Sequence, residues 1–205
     1  FVFPNMAQGY TGETRPRPKT FKLTNKEFED IQKGKDLSSN ENKYYDVSNY
    51  IDMTHKFVKM FDEYIDKYNQ NDIRNNYTIM NDIEAYKKYN NFNEFNTKET
   101  KKSEVYQQLY NSSPKFINVI FNIMMSPGPV LVYTNYVLME GIQIFKIYLK
   151  YFGYTCLNNS GKLKYTEYHG GIDKEQRDKN IKIFNEKENI DGSICKVIMI
   201  SPAGA

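Results

Sequence analysis

The 205-residue sequence contains no tryptophan, only two cysteines and only two histidines. Cys156 and Cys195 lie far apart and form no C-x-x-C pair. That excludes a disulfide framework and makes a reducing compartment the default. With His55 and His169 as the only imidazoles, a Cys/His zinc site lacks donors. No apolar run is long enough to span a bilayer, so no membrane span is expected. The first residues carry no charged-then-apolar signal pattern. The chain starts at Phe1 rather than Met and stops directly after an apolar run, so the expectation is a piece of a longer protein.

What is present is 40% hydrophobic, enough for a packed core. A mean hydropathy of -0.72 implies that part of the chain is exposed or loosely folded. The net charge of +3 is compatible with a nucleic-acid partner without demanding one. Lys outnumbers Arg, and Asn, Ile and Tyr are abundant, the mark of an A+T-rich coding sequence.

Three zones differ in texture. Residues 1–20 hold Pro4, Pro16 and Pro18, and read as an extended connector. Residues 21–112 are polar and read as a mostly helical insert. Within them Phe57, Phe61, Tyr64 and Tyr68 recur at helical spacing, the apolar face of a helix, while Asn75-Asn76 and Asn90-Asn91 interrupt the pattern.

Residues 113–205 are denser and alternate in type. Ser113 then Pro114 is an N-cap followed by a first helical position, and Ser126-Pro127-Gly128-Pro129 ends that helix. Val130–Tyr133 is apolar throughout, as a buried parallel strand should be. Thr134 and Asn135 can cap the helical run that follows, which carries Val137, Leu138, Ile142, Phe145, Tyr148, Leu149 and Phe152 to Gly153. Tyr154–Leu157 and Lys164–Tyr168 are strands around an Asn158–Gly161 turn. Asp173 with Gln176 resembles a capping box, opening a helix with Ile181 and Phe184 inward. Cys195–Ile200 is the last strand. This alternation predicts a parallel α/β layer.

In such sheets ligands gather at the carboxyl ends of strands. Those ends are Thr134-Asn135, His169-Gly170-Gly171 and Ser201–Ala205. Each offers small or hydroxyl-bearing residues and the prospect of free main-chain N–H groups for phosphate. Arg177, one turn into its helix, can hold a phosphate or a carboxylate. Any one of these clusters is also met by plain capping; three in order are more specific.

The same residues carry a family resemblance. Leu131–Val137 with Glu140-Gly141-Ile142 resembles motif IV of the superfamily 2 helicase-like ATPases. His169-Gly170-Gly171 through Gln176-Arg177 is similar to the H-G-x…Q-x-x-R segment of the same lobe, and Lys196–Ala205 looks like the opening of motif V. The wording is most similar to the helicase-like ATPases of large nucleocytoplasmic DNA viruses, of the poxvirus nucleoside triphosphatase I and early transcription factor small-subunit type. Residues 1–4 also resemble the segment leaving the first lobe in those proteins.

The resemblance implies an α/β fold, an incomplete RecA-like second helicase lobe over 113–205, cut within motif V, preceded by the polar helical insert. It implies that Thr134, Asn135, His169, Gly170 and Arg177 serve the nucleic-acid side. Ser201, Ala203 and Gly204 would couple it to the ATP cleft. It further implies ATP and Mg2+ bound mainly by a first helicase lobe outside this chain. Expected partners are DNA or RNA, that first lobe, and a viral RNA polymerase or transcription factor subunit, in a virion or the host cytoplasm.

The departures are equally specific. No G-x-x-x-x-G-K-[ST] is present: Gly34-Lys35 lacks the preceding Gly. Asp62-Glu63 lies in a helical polar run, not at a strand end, and is no Walker B pair. The Q-x-x-G-R-x-x-R segment with the arginine finger is absent. Phosphoryl transfer needs a phosphate cradle, a metal site and an electrophilic Arg together. No catalytic residue is therefore assigned, and the chain alone is expected not to hydrolyse ATP. Two other readings fit the composition: a non-enzymatic scaffold that docks a polymerase, and a different α/β enzyme such as a nucleotide-sugar transferase.

Overall fold

In the computed structural model, residues 41–138 and 141–202 are described, with side chains from Thr54 onward. The connector at 1–20, Gly34-Lys35, Glu140, Ala203 and Gly204 lie outside the described residues.

The first described element is a long helix, α1 (Glu41–Arg74), of 34 residues. At 1.5 Å per residue it runs about 50 Å. Its inward stripe is the one read from the sequence. Phe61 is fully buried, and Phe57, Tyr64 and Tyr68 pack against the same core. The Asn pairs act as stops. Asn76 takes a positive φ of 51° just past α1, and Asn91 caps α3 by accepting from the Glu94 N–H.

Three short helices follow: α2 (Ile79–Tyr86), α3 (Phe92–Lys98) and α4 (Glu104–Ser112). Next comes α5 (Pro114–Met125), and Ser113 joins the two last helices as C-cap of one and N-cap of the other. Its hydroxyl accepts from the Phe116 N–H, with Pro114 in the first turn, as the sequence predicted.

Four parallel strands then form one sheet: β1 (Val130–Tyr133), β2 (Tyr154–Cys156), β3 (Leu163–Tyr168) and β4 (Val197–Ile200), in the order β1-β4-β3-β2. Helix α6 (Ile142–Tyr151) connects β1 to β2, and α7 (Lys174–Phe184) connects β3 to β4. The first connection runs across the sheet in one direction and the second in the other. Right-handed crossovers therefore put α6 and α7 on opposite faces. The alternation along β4 agrees. Val197 and Met199 join the main core with α5 and α6, while Ile198 is buried away from that cluster.

The link from β2 to β3 is a tight coil with no helix. It suffices because β2 is only three residues long. Gly161 turns it with φ 153°, and a Cβ there would lie 2.3 Å from Thr155 Oγ1. At the other end of the sheet Lys196 Nζ donates to the carbonyls of Ser126 (2.6 Å) and Gly128 (2.7 Å), which pins the turn before β1.

One contiguous core joins the helical region to the sheet. Phe121 of α5 is its centre, with ring contacts to Tyr86 at 4.4 Å, Phe95 at 5.3 Å and Phe152 at 5.5 Å. Tyr148 of α6 stacks on Phe61 of α1 at 6.0 Å and donates its hydroxyl proton to the Leu109 carbonyl at 2.9 Å. Asp62 belongs to this junction: it pairs with Lys150 at 2.7 Å and accepts from the Tyr151 hydroxyl at 3.1 Å. No described helix is long and apolar enough to cross a membrane.

Three sequence expectations are corrected. Val130–Tyr133 reads as a buried strand, but β1 is an edge strand of the sheet and its alternate residues Leu131 and Tyr133 are 55% and 57% exposed. The helix after β1 begins at Ile142, so Thr134 and Asn135 do not cap it; Gly141 is its N-cap. In α7 it is Asn180 that is buried, while Ile181 is 40% exposed and Phe184 half-buried. The helix start is too polar to lie flat on the sheet, and a hydrogen bond from Asn180 to the Glu167 carbonyl at 2.9 Å takes the place of an apolar anchor.

Candidate functional site

All four strands are parallel, so their carboxyl ends share one edge of the sheet. The register aligns Tyr133, Ile200 and Tyr168 as neighbours across β1, β4 and β3. The next residues, Thr134, Ser201 and His169, continue that row. The Thr134 N–H donates to the Ile200 carbonyl at 3.1 Å, and the Ser201 N–H to the Tyr168 carbonyl at 3.2 Å. With strands about 4.8 Å apart, the row spans roughly 10 Å. Three clusters separated by dozens of residues in sequence are thus brought side by side.

The loop after β1 is held by its own polar groups. Thr134 Oγ1 accepts from the Tyr136 N–H at 3.2 Å, and Asn135 Oδ1 accepts from the Tyr133 hydroxyl at 2.9 Å. Asn135 is exposed and Thr134 half-buried. The start of α6 does not offer free donors, contrary to expectation. The N–H groups of Gly141, Ile142 and Gln143 donate to the carbonyls of Leu138, Tyr136 and Val137 at 3.1, 3.1 and 3.0 Å. Gly141 permits this closure, since a Cβ there would lie 2.0 Å from the Tyr136 oxygen. What this loop presents outward is side chain: the Asn135 amide and the Thr134 hydroxyl.

The turn after β3 is built differently. His169 is 4% exposed, whereas Gly170 and Gly171 are exposed. The Gly171 N–H donates to His169 Nδ1 at 3.1 Å, and the Ile172 N–H to the His169 carbonyl at 3.1 Å. His169 therefore stands behind the turn, and the glycine main chain faces out. Asp173 caps α7 by accepting from the Gln176 N–H at 2.9 Å. The reciprocal half of the capping box is missing, because Gln176 Nε2 donates instead to Asn180 Oδ1 at 2.6 Å. Arg177 is half-buried, its guanidinium carbon 5.6 Å from the Tyr168 ring centroid. That cation–π contact sets its charge against the carboxyl end of β3. Ser201 is 4% exposed, at the middle of the row.

Reading the sequence alone missed Glu167 and Lys146. Glu167 lies on the buried face of β3, with Lys146 Nζ 3.1 Å from Oε1 and His169 Nε2 3.1 Å from Oε2. The available signal was an acid at a position whose alternation with Tyr165 makes it core-facing. Burial raises the Glu167 carboxyl, but the His169 hydrogen bond and the Lys146 charge outweigh it and leave it below the usual range. Among the described residues no three His, Cys, Asp or Glu gather as a metal site.

No family model matches the chain. Curated proteins do. A putative ATP-dependent RNA helicase of Acanthamoeba polyphaga mimivirus is 36% identical over 209 positions, covering 99% of this chain and 26% of that protein. Nucleoside triphosphatase I of Melanoplus sanguinipes entomopoxvirus is 34% identical over 102 positions, half of this chain and 14% of that protein. A termination factor NPH-I homolog of African swine fever virus is 28% identical over 146 positions, again half of this chain and 20% of that protein. The chain thus spans about a quarter or less of these relatives.

Proposed function

We propose, from its similarity to helicase-like proteins of large DNA viruses, that this chain is part of a nucleic-acid-dependent ATPase motor of superfamily 2. Residues 113–205 serve as its second, RecA-like lobe, with 1–20 as the connector from a first lobe and 21–112 as the helical insert. The observation that carries this reading is the row of Thr134, Ser201 and His169 at one sheet edge.

In this reading the Thr134 hydroxyl, the Asn135 amide and the Gly170 main chain meet the nucleic-acid backbone. Such neutral donors fix the position of a phosphate chain without reading its sequence. Arg177 adds the positive charge, held in place by Tyr168. His169 serves from behind. Ser201, Ala203 and Gly204 lead from the nucleic-acid side toward the ATP cleft. ATP and Mg2+ sit mainly on the first lobe, which supplies the phosphate cradle and metal acids that this chain lacks. The relatives are named as a helicase, a nucleoside triphosphatase and a termination factor. Those names favour a role in viral transcription beside a polymerase or transcription factor subunit, in the virion or host cytoplasm.

The test is ATPase activity of the longest reading frame containing this chain, with and without single-stranded DNA and RNA, beside Arg177→Ala. Stimulation by one polymer, weakened several-fold in the variant, is expected. A folded full-length protein with no ATPase under any of these conditions would favour the scaffold reading instead.

A further inference from the structure

A largely buried carboxylate is costly unless both its oxygens are partnered. Glu167 is only 13% exposed and meets that demand from two directions: Lys146 of α6 on Oε1 and His169 on Oε2. Its main chain is engaged as well, since its carbonyl accepts from Asn180 of α7. Glu167 thus touches the helix that follows the Thr134 loop, the turn after β3, and the helix that carries Arg177.

The hydrogen bonds also fix the imidazole. The Gly171 N–H donates to His169 Nδ1, so Nδ1 holds a lone pair and the ring proton sits on Nε2, facing Glu167. A doubly protonated ring would have a donor at both nitrogens and would lose Gly171. The chain of contacts ends in exposed main chain, packed so closely that a Cβ on Gly171 would meet the imidazole at 3.1 Å.

We propose that Lys146, Glu167 and His169 form a positioning relay: it sets the His169 tautomer, holds the Gly170-Gly171 turn so that the Gly170 amide can bind a nucleic-acid phosphate, and ties this turn through α6 to the Thr134-Asn135 loop. This rests on the nucleic-acid reading above. None of the three touches the ligand; they act through the Gly171–His169 hydrogen bond, which fixes the turn and leaves the exposed Gly170 to face the ligand.

The test uses the full-length protein with Glu167→Ala and Glu167→Gln. Two quantities are read: hydrogen exchange of the amides at 170–172, and the Kd for a fluorescent single-stranded oligonucleotide. Glu167→Ala removes the acceptor for the His169 proton. Exchange should quicken about tenfold, the worth of one ordinary hydrogen bond, and Kd should weaken several-fold. Glu167→Gln keeps an acceptor oxygen while losing the charge, and should restore both to within about twofold of wild type. The pair His169→Ala and His169→Asn repeats the test without touching the buried acid, because the Asn oxygen can accept from Gly171 as Nδ1 does.

Glu167→Gln as damaging as Glu167→Ala would overturn the relay and leave a plain ion pair. Unchanged exchange in Glu167→Ala would overturn it too, as would faster exchange with unchanged Kd. A wild-type protein that binds neither DNA nor RNA removes the nucleic-acid reading itself, and the relay's role falls with it.

Discussion

Asp82 of α2 is 0% exposed and faces the start of α4. Its carboxylate accepts from the Ser103 N–H at 3.2 Å and from the Ser103 hydroxyl. Ser103 in turn caps α4 through Tyr106. Burial is the largest influence and raises the carboxyl; the two Ser103 hydrogen bonds lower it, Asp72 raises it and Lys102 lowers it. The outcome is a carboxyl pushed up to about 6 from 3.8. That gap corresponds to roughly 3 kcal/mol. Its sign follows from which state holds the proton. Between about pH 4 and 6 the folded chain binds a proton that the unfolded chain has released. The stabilisation is therefore complete below about pH 4 and is lost as pH rises through 6. Asp82→Asn removes this titration. The Asn oxygen still accepts from the Ser103 N–H, but the Ser103 hydroxyl proton loses its acceptor, at a cost of about 1 kcal/mol. The variant should be slightly less stable than wild type near pH 4 and more stable near pH 7.5. The difference between the two should swing by roughly 3 kcal/mol. Urea unfolding of both proteins across that range is the assay, followed by tyrosine fluorescence, since the chain has 18 Tyr and no Trp. Using the difference cancels groups of opposite sign such as Glu167. A difference that stays constant from pH 4 to 7.5 would refute the reasoning.

Two further outcomes follow from single contacts. Tyr148→Phe deletes the buried hydroxyl that donates to Leu109 and should cost about 1–2 kcal/mol in urea unfolding; no loss would mean that this bond does not help join α6 to α4. Gly161→Ala combines a strained φ with a clash against Thr155 and should cost about 2 kcal/mol or more. Adding Thr155→Ala should recover only the clash, and full recovery by the double variant would show that φ is not strained.

The sheet was legible because its signals are local. Val130–Tyr133 and Cys195–Ile200 are apolar runs bounded by Pro, Gly and Ser, and Ser113-Pro114 marks a helix start from two adjacent residues. The row of strand ends was legible too, since parallel strands put like ends together. What escaped depended on partners far along the chain. Glu167 was not legible because its partner Lys146 lies on a different element. The start of α6 read as open because the carbonyls of Tyr136, Val137 and Leu138 fold back only in three dimensions. Ile181 read as core because periodicity counts apolar residues and cannot foresee that Asn180 binds a strand carbonyl.

The helical region bears on the site through this same nonlocal packing. Helix α6 sets where the loop after β1 can lie, because the Ile142 and Gln143 N–H groups hold the carbonyls of Tyr136 and Val137. Its opposite side is fixed by Phe61, Asp62 and Leu109, contributed by α1 and α4. The mimivirus relative aligns across nearly the whole chain, helices included, whereas the poxvirus and African swine fever virus relatives align over half of it. In this chain the support is a set of aromatic side chains, centred on Phe121 and Tyr148, that joins the helices to the sheet in one core. Displacing α1 would act on α6, and through α6 on the Thr134-Asn135 loop, by the packed rings, the Asp62–Lys150 ion pair and the main-chain hydrogen bonds at the start of α6.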